Sequence, residues 1–144
     1  MQPKATYDDA RLILRLYEAR REDRMRMARA WFVASFKPKT LGDLKALCPT
    51  GSDENASYRM VVSYWEMVAS FVTSGVLNKA LFFESGRELL LVWERIRDVL
   101  PAIREDYKDP RYYANLEEVA TDYIAYLNRR GPNTYQAFSA RVRG

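Results

Sequence analysis

The chain has 144 residues, of which 48% are apolar and 29% charged, and its net charge is +4. This length and composition predict a single folded domain and exclude a long disordered protein. Histidine is absent and Cys48 is the only cysteine, which excludes closed zinc sites, histidine-based nucleophile pairs and an internal disulfide. We therefore expect no metal and no cofactor.

The charge is unevenly distributed along the chain. Residues 1–39 carry ten basic and five acidic side chains, residues 40–128 carry nine and fourteen, and residues 129–144 carry four and none. Such asymmetry occurs in proteins that bind nucleic acid or acidic lipid. It also arises when basic ends fold against an acidic middle. The large apolar face of the basic first helix favours this second interpretation.

The first predicted helix is long and runs from about Tyr7 to Phe36, after a flexible segment at residues 1–6. Arg20 and Arg24 lie on its apolar side. We expect Arg20 or Arg24 to pair with carboxylates from residues 40–128 or from a second copy of the chain. The alternative is that the helix extends past the bundle at this point.

Short polar signals divide the next part of the chain. Pro38 ends the first helix, and the turn Cys48–Gly51 separates a short helix from a long one that ends at Gly75. We expect Gly75 to adopt a left-handed backbone. Side chains suited to capping helix starts occur at Thr6 or Asp8, Thr40, Ser52 and Asn78.

The sequence pattern of the C-terminal half predicts three further helices. An apolar stripe covers residues 89–103, and Pro101 inside it should kink the helix or restart it at Leu100. Asp109-Pro110 predicts the start of the next helix, which carries core residues to Leu127. Residues 132–144 predict a short C-terminal helix that docks on the body.

Taken together, these elements predict an all-α fold. We expect residues 1–144 to form one small bundle with a long N-terminal helix, two long central helices, a proline-kinked or broken helix and short connecting helices. Trp65 and Trp93 lie at the centres of apolar stripes, so we expect each to be buried against the other's helix.

Several segments in fixed order resemble a known family. They are Ser63–Ala69, Ser74–Leu77 with Leu81–Glu84, Val92–Arg95 with Leu100–Ile103, and Asp109–Tyr113. Over about residues 58–130 the chain resembles a bacterial all-helical domain of unknown function. The resemblance implies a helical fold and no activity or site residues. Many members carry a transmembrane helix before this region, whereas the corresponding helix here is charged.

Glu66 is one candidate site residue, because it follows Trp65 on the polar stripe of a helix. It would suit a lone general acid or a carboxylate that orients a ligand. The favoured interpretation is a salt bridge, with Arg59 or an arginine of the first helix as its partner.

A second candidate site combines cations and aromatic rings in Arg104, Arg111, Tyr112 and Tyr113. Such a group can bind an anionic or planar ligand or stack on nucleic-acid bases. The favoured interpretation is a loop in which tyrosines cover the end of the bundle while the arginines meet Glu105, Asp106 and Asp109.

These observations favour a scaffold or protein-interaction module over an enzyme, because no catalytic constellation is present. The length of the first helix predicts a homodimer built partly on that helix. Nucleic-acid binding through the basic N-terminal helix and C-terminus is the alternative. The sequence contains no apolar run of membrane-spanning length and begins without the pattern of a signal peptide, so we expect a cytoplasmic protein.

Overall fold

The computed structural model of the protein describes residues 3–144, and in that range it contains nine helices and no strand. The helices are α1 (Tyr7–Ala19), α2 (Asp23–Ser35), α3 (Leu41–Leu47), α4 (Asp53–Thr73), α5 (Lys79–Phe83), α6 (Arg87–Ile96), α7 (Leu100–Tyr107), α8 (Ala114–Arg130) and α9 (Thr134–Arg143). The predicted all-α bundle is confirmed. Of the helices in the described range, none is both long enough and apolar enough to cross a bilayer.

The two longest helices, α4 and α8, pack together at the centre of the bundle. Helix α2 lies against α4, while α6 and α9 lie against α8. Val62 of α4 and Leu116 and Tyr123 of α8 are fully buried. Each large apolar side chain buried in this way contributes about 1.5–3 kcal/mol to folding.

The predicted long N-terminal helix is two helices, so the prediction of continuity from Tyr7 to Phe36 is wrong. The chain turns at Arg20–Glu22, and the side chain of Glu22 caps α2 by accepting from the backbone N–H groups of Arg24 and Met25, both at 3.1 Å. The turn allows α2 to pack on α4 and α1 to lie beside α5. A straight helix of about 45 Å would be longer than a compact domain of this size.

Most of the predicted helix ends are confirmed. Thr6 and Thr40 form capping boxes, and Ser52 and Asn78 cap α4 and α5. Gly75 has a φ of 84°, in the left-handed region predicted for it. The capped helix starts were predictable because each depends on two residues three positions apart, and Gly75 was predictable because glycine adopts the left-handed region readily.

The second half of the bundle differs from the prediction at one helix start. Leu100 begins α7 with Pro101 in its first turn, as expected for a restart. Helix α8, however, begins at Ala114 and not directly after Asp109-Pro110. Tyr113 precedes it with a left-handed backbone, φ 58°, so the intervening residues form a turn.

Trp93 lies at the edge of the core and not at its centre. Trp65 is 3% exposed, whereas Trp93 is only partly buried. The prediction that both tryptophans are core residues is therefore wrong for Trp93. The neighbouring Glu94 and Arg95 take the buried positions.

Both ends of the described range, residues 3–144, contact the body of the bundle. Met1 and Gln2, part of the segment predicted to be flexible, lie outside the described residues. The carbonyl of Pro3 accepts a hydrogen bond from Asn78 Nδ2 at 2.9 Å. At the other end Phe138 of α9 is buried.

Candidate functional site

A cluster of charged side chains joins α1, α2 and α6 around Glu88. Arg29 binds the Glu88 carboxylate with two nitrogens, Nε and Nη2, at 2.9 Å each to different oxygens. The indole N–H of Trp65 donates to the same carboxylate at 3.2 Å. Arg29 also donates to the carbonyl of Arg20 at 3.1 Å, which fixes the turn between α1 and α2. The hydrogen bonds to Glu88 raise the pKa of Arg29, so this cation stays charged.

Arg20 stands at the edge of this cluster. Its Nη1 atom lies 3.7 Å from Glu88 Oε2, which is an ion pair but too long for a hydrogen bond. Its guanidinium carbon lies 5.1 Å from the centroid of the Tyr17 ring and 5.4 Å from that of Trp65. The predicted pairing with a carboxylate of the acidic middle is confirmed for Arg20.

An apolar cleft of about 360 Å³ opens beside Arg20, between α1 and the α4–α6 part of the bundle. Apart from Arg20 and Ser85, its walls are apolar or aromatic: Ile13, Leu14, Leu16, Tyr17, Tyr64, Trp65, Val68, Phe82 and Gly86. We refer to this space as the α1 cleft. Tyr64 joins its two walls by donating from its hydroxyl to the carbonyl of Leu16, and burial raises the pKa of Tyr64 to about 12.

Arg24 and Glu66 have structural contacts. Arg24 donates to Ser57 Oγ at 3.2 Å and forms no ion pair within the described residues. Glu66 accepts from Leu116 N at 2.8 Å and from Asn115 Nδ2 at 2.7 Å. The predicted salt bridge of Glu66 is therefore wrong, since its carboxylate caps the start of α8.

The cation–aromatic group forms a brace at one end of the bundle. Arg104 donates to the carbonyl of Tyr112 and to Glu117, both at 2.9 Å. Tyr113 is buried, Tyr112 is partly buried with its ring centroid 4.2 Å from that of Tyr113, and Arg111 is exposed. The tyrosines cover the bundle end as expected, but Arg104 pairs with Glu117 and not with the acids of the loop.

The basic ends of the chain fold against its acidic middle. Arg20 and Arg29 pair with Glu88, and Lys39 and Arg143 pair with Asp98 at 3.5 and 2.6 Å. These contacts support the interpretation that the uneven charge serves internal pairing.

Sequence analysis did not identify Glu88 or Glu94 as important. Glu94 is 1% exposed and accepts from the hydroxyls of Tyr135 at 2.8 Å and Ser139 at 2.6 Å. Arg95 donates to the carbonyls of Phe32 and Phe36, each at 3.1 Å, at the end of α2. Burial lowers the pKa of Arg95. The sequence contained one signal for these buried charges, because Glu94 and Arg95 lie inside the apolar stretch from Val92 to Ile96.

Within the described residues, no group of three or more acidic or cysteine side chains has the arrangement of a metal site.

The family comparison matches residues 5–123 to DUF4760, a domain of unknown function, and the chain belongs to that family. The match extends further towards the N-terminus than the resemblance noted above, and it covers α1, α2 and the α1 cleft. The comparison with curated proteins finds no match, and neither does the comparison with solved structures.

Proposed function

We propose that this protein is a helical interaction module that self-associates through the outer face of α2. The observation that carries the proposal is a groove along that face in which apolar side chains are exposed. Met27 is 67% exposed and Val33 42% exposed, and they line the groove with Ala30 and Ala34 and with the charged residues Asp23, Arg26, Arg29 and Glu88. Exposed apolar side chains arranged in a continuous patch are typical of interaction sites.

The residues of the groove favour a second copy of the chain as its occupant. Ala30 has a small side chain at the middle of the face, so two α2 helices can approach closely there. Met27 and Val33 lie three residues on either side of Ala30. An antiparallel pair centred on Ala30 therefore brings Met27 of each copy against Val33 of the other, as twofold symmetry requires.

The charges agree with the same arrangement. Asp23 and Lys37 lie seven residues on either side of Ala30, and both are exposed. Lys37 lies two residues beyond the end of α2 at Ser35, so in the antiparallel pair it would lie at the end of the interface, near the other copy's Asp23, and would give two complementary contacts. Charge complementarity of this kind sets the register of an interface more than its affinity.

The internal ion pairs favour this function over nucleic-acid binding. Arg29 pairs with Glu88, and Lys39 and Arg143 share Asp98 of the same chain. Fewer cations of the basic ends are then free to neutralise phosphates. The small contact area of one helix face predicts a weak dimer.

Sedimentation velocity over a dilution series tests the proposal. We expect the wild type to dimerise at micromolar concentrations and Ala30→Glu to remain monomeric, because a buried unpaired carboxylate is costly. Ala125→Glu, at an exposed site of α8, is the matched control and should dimerise as the wild type does. A monomeric wild type, or an unchanged Ala30→Glu variant, would refute the proposal.

Charge exchange tests the antiparallel register. Asp23→Lys and Lys37→Asp should each weaken the dimer, and the double variant should recover affinity because the two contacts are restored with opposite polarity. Failure of the double variant to recover would exclude this register. Circular dichroism of each variant checks that α2 remains folded, since Asp23 also lies in its first turn.

A further inference from the structure

The α1 cleft has the architecture of a ligand pocket with α1 as its roof. Helix α1 is attached to the body at each end of the cleft. Asp9 near its start binds the backbone N–H of Asn78, and the Leu16 carbonyl near its end accepts from Tyr64. The volume of about 360 Å³ lies between these attachments and within the range of small-molecule sites.

The cleft is almost entirely apolar except at one end. Val68 and Phe82 are buried at its floor, and Ile13 and Leu16 of the roof are only partly buried. An aliphatic chain lying in the cleft would cover these surfaces, which gives a favourable hydrophobic term.

Arg20 supplies a cation with unused donors at the other end. Within the described part of the chain its guanidinium makes no hydrogen bond, although it lines the cleft and its side chain is only 15% exposed. Glu88 cannot satisfy it, because four hydrogen bonds from Arg29 and Trp65 already occupy that carboxylate. The guanidinium nitrogens therefore remain available to an acceptor that enters the cleft.

The excess of positive charge at the Arg20 end of the cleft favours an anionic ligand. Arg20 and Arg29 carry two positive charges against the single negative charge of Glu88. Arg21 adds a further cation, with its guanidinium carbon 5.5 Å from the centroid of the Tyr17 ring. A carboxylate can accept two parallel hydrogen bonds from one guanidinium, which is a strong and directional arrangement.

We propose that the α1 cleft binds a single-chain aliphatic carboxylate, with the carboxylate on Arg20 and the chain against Val68 and Phe82. Gly86 helps to shape the wall that receives the chain. A Cβ atom at this position would lie 2.3 Å from the Phe82 ring, so a larger residue would displace that ring. This site is separate from the α2 groove, and neither proposal depends on the other.

Titration calorimetry with dodecanoate, below its micellar concentration, tests the proposal. We expect one dodecanoate per chain, and binding of dodecanol at least about tenfold weaker, because a charge-assisted hydrogen bond contributes more than a neutral one. Absence of dodecanoate binding, or equal binding of dodecanol, would overturn the proposal. Binding only to phosphatidylglycerol vesicles, and not to the free carboxylate, would also overturn it.

Three variants test the residues. Arg20→Gln should bind dodecanoate at least about tenfold more weakly, since it loses the charged donors. Arg59→Gln removes the same charge from an exposed site of α4 outside the cleft, and it should bind as the wild type does. Val68→Phe fills the cleft and should abolish binding, with its fold checked by circular dichroism. An Arg20→Gln variant that is folded and binds at wild-type affinity would refute the assignment of the carboxylate to Arg20.

Discussion

The carboxylate of Asp9 joins α1 to the start of α5 by accepting a hydrogen bond from the backbone N–H of Asn78 at 2.8 Å. Its other oxygen accepts from the backbone N–H of Thr6 at 2.7 Å, so the same side chain stabilises the start of α1. These two N–H donors, of which that of Thr6 has the larger effect, hold the pKa of Asp9 below its ordinary value of 3.8.

The lowered pKa of Asp9 predicts that α1 loosens in acid. Because the folded state favours the charged carboxylate, the stabilisation of α1 by Asp9 is complete above pH 3.8, the ordinary pKa. It is lost as the pH falls through the lower pKa that Asp9 has in the folded protein. Hydrogen exchange of α1, corrected for the intrinsic rate, should accelerate in this range before the core exchanges. Asp9→Asn should accelerate it at neutral pH, whereas Asp8→Asn, at an exposed site, should not. Equal protection of α1 in both variants would contradict the prediction.

The cap that Glu66 provides for α8 predicts a stability cost when it is removed. Glu66→Ala leaves the N–H of Leu116 without its partner, and we expect a loss of about 1–3 kcal/mol in the free energy of unfolding. Urea denaturation measures the change. Glu118→Ala removes an exposed carboxylate of α8 and should change stability by less than about 0.5 kcal/mol. Similar midpoints for the two variants would argue against a capping role for Glu66.

The fold was predictable where local sequence determines the structure. Thr40 and Ser52 cap helices through contacts three residues away, and Gly75 ends a helix through its own backbone freedom. The apolar stripes of α4 and α8 likewise follow from a period of 3.6 residues. The helical class and most helix ends therefore follow from the sequence alone.

The contacts that connect distant segments were not predictable in this way. The turn at Arg20–Glu22 depends on Arg29 and, through it, on Glu88 of another helix. Glu66 meets Leu116 fifty residues later in the chain. A sequence pattern places such side chains on a helix face but does not identify the partner across the interface. For the same reason, Arg20 was identified as a candidate while the cleft beside it was not.

Burial of the two tryptophans predicts unequal effects of truncation. Trp65→Ala should cost about 3–5 kcal/mol, because this side chain is 3% exposed and packs in the core. Trp93→Ala should cost about 1–2 kcal/mol, as is typical of partly buried sites. Denaturant midpoints measured side by side test the order. A larger loss for Trp93→Ala would place the centre of the core at α6 and contradict the structure.

The buried Glu94 predicts that polar contacts dock α9. Removing the carboxylate in Glu94→Ala leaves the hydroxyls of Tyr135 and Ser139 without their acceptor, with an expected loss of about 1–3 kcal/mol. Tryptic cleavage near Arg130, between α8 and α9, should become faster because α9 detaches more often. A double-mutant cycle with Tyr135→Phe should give a coupling energy of about 0.5–3 kcal/mol. A coupling near zero would mean that the two side chains stabilise α9 independently.

The burial of Cys48 predicts a slow thiol whose reactivity reports on unfolding. Burial raises the pKa of Cys48 from 9.0 to about 11, and only the thiolate attacks alkylating reagents. At pH 7.5, well below both pKa values, the folded protein holds about 100-fold less thiolate than the unfolded chain. Iodoacetamide should therefore modify the native protein at least about 100-fold more slowly than the chain in urea, and burial adds a steric barrier to this ratio. The ratio of unfolded to folded thiolate narrows above pH 9.0, since the unfolded thiol is then already ionised.

Native alkylation at the rate of the unfolded chain would mean that the segment between α3 and α4 opens freely. In Glu66→Ala the native rate should rise only if that segment opens together with α8, so the same measurement tests whether the bundle unfolds as one unit.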